Sequence, residues 1–161
     1  LSFDQMLVSS MPRAIETADM IVEETGHSYH VSDLLREMTT PTHLIGDPAP
    51  DNFFNDLLTY HEDPNRRWGG AENFHDLLER IQQAWDYITS QPGEAALVVS
   101  HGNFIRCLTG YLLLEGQATP KDLTVFMRTL KTANTGITKI IHMHERWQVL
   151  SWNDHAHFAD N

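Results

Sequence analysis

The segment that decides the fold is AALVVSHGN, residues 95–103. Its first five residues are small or apolar without alternation, which is typical of a strand buried on both faces of a sheet. A turn signal, QPG at 91–93, precedes the segment, and apolar residues at helical spacing follow it: Phe104, Ile105, Leu108 and Leu112. The sequence therefore predicts a strand, a sharp turn and a helix, with His101 at the carboxyl end of the strand.

The carboxyl end of this strand is a favourable place for an anion. In open α/β sheets, ligands bind just beyond the carboxyl ends of the strands. The first N–H groups of the following helix, those of Gly102 and Asn103, also favour negative charge. We therefore expect His101, Gly102 and Asn103 to hold a phosphate group. The alternative is that His101 only caps the turn, and the local pattern does not separate the two.

Composition limits the partners of the chain. Its 161 residues suffice for one domain with a core, and the formal net charge is −11. This charge argues against nucleic acid or an anionic membrane as the main partner, because both favour a basic surface. A small phosphorylated substrate in a local basic pocket remains compatible with it. The single cysteine, Cys107, excludes an internal disulfide and fits a reducing compartment, so we expect a cytoplasmic protein.

The rest of the chain alternates strands and helices. The predicted elements are a strand within 3–9, a helix from Pro12 to Gly26 capped by Ser10, a short edge strand over 27–31, helices over 51–58 and 71–90, a helix opened by Pro120, and a hairpin of strands 137–143 and 147–152. This order indicates a single α/β domain over 1–161, in which a mixed sheet lies between layers of helices.

Arg13 is the basic residue placed best to meet His101. It follows the first predicted strand directly, and the carboxyl ends of parallel strands meet at one edge of a sheet. A planar guanidinium at this edge would bind phosphate through two parallel hydrogen bonds. The alternative is a surface arginine beside Glu16.

Five short motifs carry a resemblance to a known family. They are SSMPRAIETA at 9–18, LRE at 35–37, GGAE at 69–72, VVSHG at 98–102 and NTGIT at 134–138. Together and in this order, from Met6 to about His157, they resemble the histidine phosphatase superfamily, the phosphoglycerate-mutase-like proteins. The resemblance implies a three-layer αβα fold with a mixed, mostly parallel sheet. It also implies hydrolysis of a phosphomonoester through a phosphohistidine, without a metal or other cofactor. Phosphoryl transfer of the mutase type and a non-catalytic module that binds phosphorylated ligands are the alternatives.

The resemblance also assigns roles to residues. Arg13 matches the second arginine of the family's phosphate pocket, and His101 matches the second histidine, which stabilises the transferring phosphoryl group. Glu37 falls where many members carry the general acid, although an ionic contact at a helix end is the alternative. Glu72 belongs to a motif whose role is mainly structural. The segment 43–70 would shape the mouth of the site, and its adjacent arginines are either substrate contacts or part of a solvated loop: Arg66 and Arg67.

One family motif does not occur in the sequence. The family's nucleophile belongs to an Arg-His-Gly motif, whereas the single His-Gly pair here is His101-Gly102. In the family, the strand with that motif lies between the strand equivalent to residues 97–99 and the C-terminal hairpin. We therefore expect the domain to be incomplete at its N-terminus, with the nucleophile upstream of Leu1 and no activity in this chain alone.

A metal site is the remaining alternative. His142 and His144 are two residues apart on a predicted strand and share a face, as do His155 and His157 near the C-terminus. No carboxylate stands at a matching spacing, and His142 and His144 alternate with apolar residues, as on a solvated strand face. We therefore expect no metal.

Overall fold

The computed structural model describes residues 2–39, 63–67 and 70–156. Its strands are β1 (Gln5–Ser9), β2 (His30–Ser32), β3 (Ala96–Val99), β4 (Ile137–Met143) and β5 (Arg146–Asp154). Its α-helices are α1 (Pro12–Thr25), α2 (Phe74–Thr89), α3 (Gly102–Leu113) and α4 (Pro120–Thr129), and a 3-10 turn covers Asp33–Leu35. These bounds confirm the predicted order of elements, while the helix predicted over 51–58 lies outside the described residues. None of the described helices has the length and apolarity needed to cross a membrane.

The central sheet is parallel and has β1 in its middle. β1 pairs with β2 on one side and with β3 on the other, so that Leu7 lies opposite His30 and Val98. β4 and β5 form a separate antiparallel ribbon. The protein is therefore an α/β fold with a mostly parallel sheet, as the sequence predicts.

Side chains of β1 alternate between two hydrophobic cores. Leu7 packs on one face of the sheet with residues of α2 and α3, including Ile81 and Phe104. Met6 and Val8 point to the opposite face, where they pack against the residues of α1 that the helix buries, Ala14 and Ala18. Both faces of the strand are fully buried because helices cover both sides of the sheet. This arrangement gives the three layers that the resemblance implies.

The sheet is divided between β3 and β4. Among the described residues, β3 pairs only with β1, and β4 pairs only with β5. Leu97, Val98 and Val99 of β3 are partly exposed, whereas Met6, Leu7 and Val8 of β1 are buried. From the resemblance, we expect the strand with the Arg-His-Gly motif at this division, and that expectation stays a prediction.

The start of α1 differs from the prediction that Ser10 is its cap. Met11 occupies the capping position and provides no side-chain hydrogen bond, while Pro12 opens the helix as predicted. The Ser10 hydroxyl donates instead to the carboxylate of Asp33. The helix begins at Pro12, so Ser10 stands one residue before the capping position, and its hydroxyl oxygen does not cap the helix. Gly26 ends the helix in the left-handed region, with φ of 71°, as expected of a terminal glycine.

Candidate active site

The carboxyl ends of β1 and β3 bring Ser9 and His101 together. The two strands are parallel and in register, with Val8 opposite Val99, so the residues that follow also lie side by side. His101 Nε2 is 2.7 Å from Ser9 Oγ, although 92 residues separate them in the sequence. Ser9 is completely buried, and only 6% of His101 is exposed. The sheet, rather than any local motif, therefore fixes the position of the ring.

Arg13 reaches the other side of the same ring. It stands in the first turn of α1, directly after β1, and its Nε donates to His101 Nδ1 over 3.0 Å. The ion pairs among the described residues do not include one between Arg13 and Glu16. The structure thus brings together the guanidinium and the imidazole that the sequence analysis selects, and it does not show the surface pairing that was the alternative.

These two contacts define the tautomer of His101. The Arg13 Nε–H can only donate, so Nδ1 must accept and carry no proton. A neutral ring then has its proton on Nε2, which donates to Ser9 Oγ. Burial lowers the pKa of His101 from 6.5 to about 4, and the positive charges of three arginines add to this: Arg13, Arg36 and Arg80. At neutral pH the ring is therefore uncharged.

Glu37 lies at the N-terminus of α3. Its carboxylate accepts hydrogen bonds from the backbone N–H groups of Asn103 at 3.1 Å, Phe104 at 2.9 Å and Met38 at 2.9 Å. It thereby occupies the end of the helix where negative charge is most favourable. These contacts lie at a helix end but are backbone hydrogen bonds, and the ion pairs of the described residues do not include the ionic contact that was the alternative. Donation of a proton to substrate by Glu37 stays a prediction. The N–H of Asn103, which we expected to bind the substrate anion, is bonded to this carboxylate.

The turn between β3 and α3 is held by side chains from a later part of the chain. A Cβ added at Gly102 would lie 2.8 Å from Thr132 Oγ1, so a larger residue at this position would force the Thr132 side chain to move. Arg106 donates to Asn103 Oδ1 over 2.8 Å and to Thr132 Oγ1 over 3.0 Å. The side chain of Asn103 is therefore fixed within the protein, and binding of substrate by Gly102 or Asn103 remains a prediction.

Arg80 braces the segment that leads to Glu37, and the sequence analysis did not identify it. It forms a two-fold contact with Glu72, with Nε to Oε1 at 2.5 Å and NH2 to Oε2 at 2.8 Å, and both side chains are 16% exposed. Its NH1 donates to the carbonyl groups of Leu34 and Arg36 at 3.0 and 2.9 Å. Glu72 thus has a structural role, as the resemblance implies. The only signal in the sequence is an arginine two helical turns after that glutamate.

The pair Arg66 and Arg67 lies in the described segment 63–67. Arg67 forms an ion pair with Asp76 at the start of α2, with N–O distances of 2.8 and 2.5 Å. The backbone N–H of Arg66 donates to the carbonyl of Asp63 at 3.1 Å. No hydrogen bond within the described ranges joins either arginine to His101 or Arg13. Their contact with substrate remains a prediction, and most of the segment 43–70 is outside the described residues.

The described residues contain no group of three or more His, Cys, Asp and Glu side chains that could hold a metal ion. In particular, the ring of His142 lies against Trp147, with 4.7 Å between the ring centroids. His144 lies in the turn after β4 with a φ of 52°, and not on the strand. The pairing of His142 and His144 on one strand face is therefore not observed. His157 lies outside the described residues.

Comparisons with known proteins give a consistent result. The model of the histidine phosphatase superfamily (branch 1) matches residues 1–155. A phosphoserine phosphatase mutant from Entamoeba histolytica, solved with phosphoserine, superimposes with a TM-score of 0.71 at 22% identity, covering 97% of this chain and 75% of that one. A mycobacterial glucosyl-3-phosphoglycerate phosphatase superimposes with a TM-score of 0.68 at 20% identity, covering 94% of this chain and 77% of that one.

The alpha-ribazole phosphatase of Shigella flexneri gives a TM-score of 0.67 at 19% identity, with 96% of this chain and 75% of that one covered. At these identities the solved structures establish the fold alone. No curated protein matches the chain significantly. Because the family model spans nearly the whole sequence, the chain belongs to the histidine phosphatase superfamily.

Proposed function

We propose that the protein is a metal-independent phosphatase that hydrolyses a small phosphomonoester through a phosphohistidine intermediate. The observation that carries this proposal is the cluster of Arg13, His101 and Ser9 at the carboxyl ends of two parallel strands. Phosphoryl transfer asks a protein mainly for positioning and for positive charge around the oxygens of the transferring group. A guanidinium and an imidazole held at one sheet edge supply both.

Arg13 is the principal group for binding the phosphoryl oxygens. Its Nε–H donates to His101, and no hydrogen bond joins its NH1 or NH2 to another described residue. Its side chain is exposed, unlike the ring it contacts. Two parallel N–H donors on a planar group match two phosphoryl oxygens. Arg36 and Arg80, which already act on the pKa of His101, add positive potential at the same place.

The nucleophile in this proposal is a histidine on a strand between β3 and β4. Both strands have a free edge among the described residues, and the 161-residue sequence has no Arg-His-Gly motif. A segment upstream of Leu1 would supply this strand. Its histidine would attack the phosphorus in line, the alcohol would leave with a proton, and water would then cleave the N–P bond. Glu37 is the candidate proton donor, as the resemblance implies.

Small phosphorylated molecules are the proposed class of substrate. The solved relatives are named for phosphoserine, glucosyl-3-phosphoglycerate and alpha-ribazole phosphatase activities, which act on different phosphomonoesters. The site described here has groups for the phosphoryl part, which these substrates share. The net charge of the chain is −11, so a basic pocket would be surrounded by a mostly acidic protein. A ligand with one local anionic group would therefore bind better than a polyanion, which the acidic surface would repel.

The test is turnover of p-nitrophenyl phosphate by the intact protein with EDTA present. We expect hydrolysis that EDTA does not reduce and that His101→Ala lowers by about 100-fold or more, as for loss of one group that stabilises a transition state. An acid-labile phosphoprotein trapped from labelled substrate would support the phosphohistidine. Loss of activity in EDTA would overturn the metal-independent mechanism. Binding of inorganic phosphate without turnover would favour the non-catalytic module.

A further inference from the structure

Ser9 has a contact that the proposed chemistry does not use. Its side chain is completely buried at the last position of β1, and its hydroxyl lies 2.7 Å from His101 Nε2. We propose that Ser9 is a positioning residue, which holds His101 so that Nδ1, and not Nε2, meets the phosphoryl group of the substrate. This inference rests on the proposed function and adds to it the orientation of the ring.

The hydroxyl of Ser9 acts as an acceptor. It receives the Nε2–H of His101, because Arg13 already donates to Nδ1 of that ring. It also receives the backbone N–H of Met11, at 3.3 Å. These two donors use both acceptor positions of a hydroxyl oxygen. Ser9 therefore keeps the Nε2 proton in place and leaves Nδ1 as the ring atom that changes partner.

Nδ1 lies on the side of the ring that faces Arg13. A phosphoryl group bound by the terminal nitrogens of Arg13 would therefore reach Nδ1 before any other ring atom. Before Nδ1 can donate to a phosphoryl oxygen, it must gain a proton from a monoanionic phosphoryl group or from solvent. The Arg13 Nε–H must also stop donating to Nδ1. The Nε2–H bond to Ser9 is the same before and after this change.

The surrounding charges oppose this proton until an anion arrives. Arg13 on α1, Arg36 after the 3-10 turn and Arg80 on α2 all disfavour the protonated ring, and Glu37 is bonded to the N-terminus of α3. A phosphoryl dianion beside Arg13 would offset this positive potential. Binding of the anion and protonation of Nδ1 are therefore coupled, and Ser9 restricts the proton to that atom.

Nitrogen NMR of labelled histidine in the intact protein reads the tautomer directly. The His101 signals are identified by their loss in His101→Gln. In the free protein we expect a proton on Nε2 and none on Nδ1, and with saturating inorganic phosphate we expect protons on both. Ser9→Ala should shift the signals of Nε2 and its proton, because their hydrogen bond is lost while Arg13 still keeps Nδ1 unprotonated, and Ser9→Thr should restore the wild-type pattern. The matched control is Ser10→Ala, because that neighbouring hydroxyl bonds to Asp33 and not to the ring.

Activity provides a second and independent measurement. We expect Ser9→Ala to lower kcat by roughly tenfold with a smaller change in KM, the loss expected for one buried hydrogen bond, and Ser9→Thr to recover most of it. A proton on Nδ1 in the free wild type, or a Ser9→Ala spectrum identical to that of the wild type, would overturn the inference. An inactive wild type with the expected NMR pattern would overturn the proposed function and leave the position of the ring supported.

Discussion

Arg13 and Arg67 show how the surroundings of an arginine decide what it can bind. Both are exposed, and both come from segments that the sequence analysis selects for contact with an anion. Arg13 donates to the buried, neutral ring of His101, so its positive charge is not neutralised by that partner. Arg67 is paired with the carboxylate of Asp76. A sequence can locate a guanidinium, but its partner determines whether the charge remains for a ligand.

Replacing Arg13 by lysine should have the largest effect on activity. Arg13→Lys keeps the charge but loses the planar pair of donors and the Nε–H that contacts His101, so we expect kcat/KM to fall by about 100-fold or more. Steady-state kinetics on p-nitrophenyl phosphate measures this. Arg128→Lys, on the exposed last turn of α4, is the matched control and should stay within about twofold. An Arg13→Lys variant as active as the control would contradict the proposal that the planar guanidinium of Arg13 binds the phosphoryl group.

A third arginine, Arg80, extends the comparison to one that is largely buried. Arg80→Met removes the ion pair with Glu72 and the hydrogen bonds that Arg80 donates to the carbonyl groups of Leu34 and Arg36. We expect the free energy of unfolding to fall by about 3 kcal/mol, as for breaking a buried ion pair.

Urea unfolding measures the effect of Arg80→Met. The double variant Arg80→Met/Glu72→Gln should recover part of the loss, because it also removes the carboxylate charge that Arg80 balances in the wild type. A change in the free energy of unfolding below about 1 kcal/mol would mean that the ion pair of Arg80 contributes no more to stability than an exposed pair such as that of Arg67.

The buried ring should make stability depend on pH. The pKa of His101 is 6.5 when unfolded and about 4 when folded, so the unfolded state binds more protons between these values. The free energy of unfolding should therefore fall as pH decreases from about 6.5 to about 4, by on the order of 3 kcal/mol from this group. Urea unfolding across this range should show a smaller decrease for His101→Gln than for the wild type. An equal decrease in the free energy of unfolding for the two proteins would mean that the fold does not hold the His101 ring neutral.

The smallest effect should come from Arg67. Because its pair with Asp76 is exposed, Arg67→Ala should lower the free energy of unfolding by less than about 1 kcal/mol and leave KM unchanged. Unfolding and steady-state kinetics measure the two quantities. A several-fold rise in KM would instead show that this arginine contacts substrate, as the sequence analysis allows.

The residues of the site that can be predicted from sequence are those whose positions are set by secondary structure. Apolar patterns locate β1 and β3, and their parallel ends bring Arg13 and His101 together. The contacts that sequence does not predict join elements far apart in the chain. Arg80 reaches the carbonyl of Leu34 across 46 positions, and Glu37 accepts from Phe104 across 67. Such bonds depend on how helices pack on the sheet, which local pattern does not specify.

The capping of α1 shows the same limit. Ser10 matches the preferred residues for a helix cap, and a local rule selects it for that reason. The helix begins one residue later than that rule expects, at Pro12, and the Ser10 hydroxyl instead donates to the carboxylate of Asp33, which the pairing of β1 with β2 brings close. Residue type alone therefore does not locate the first residue of a helix, and the partner of Ser10 depends on a strand pairing that the local rule does not consider.

The most direct test of the account is calorimetric titration of the intact protein with inorganic phosphate, at neutral pH and with EDTA present. We expect binding by the wild type and by Arg128→Ala, and an affinity at least about tenfold weaker for Arg13→Ala. Equal affinities for the wild type and Arg13→Ala would contradict the claim that the ends of β1 and β3 form the phosphoryl site.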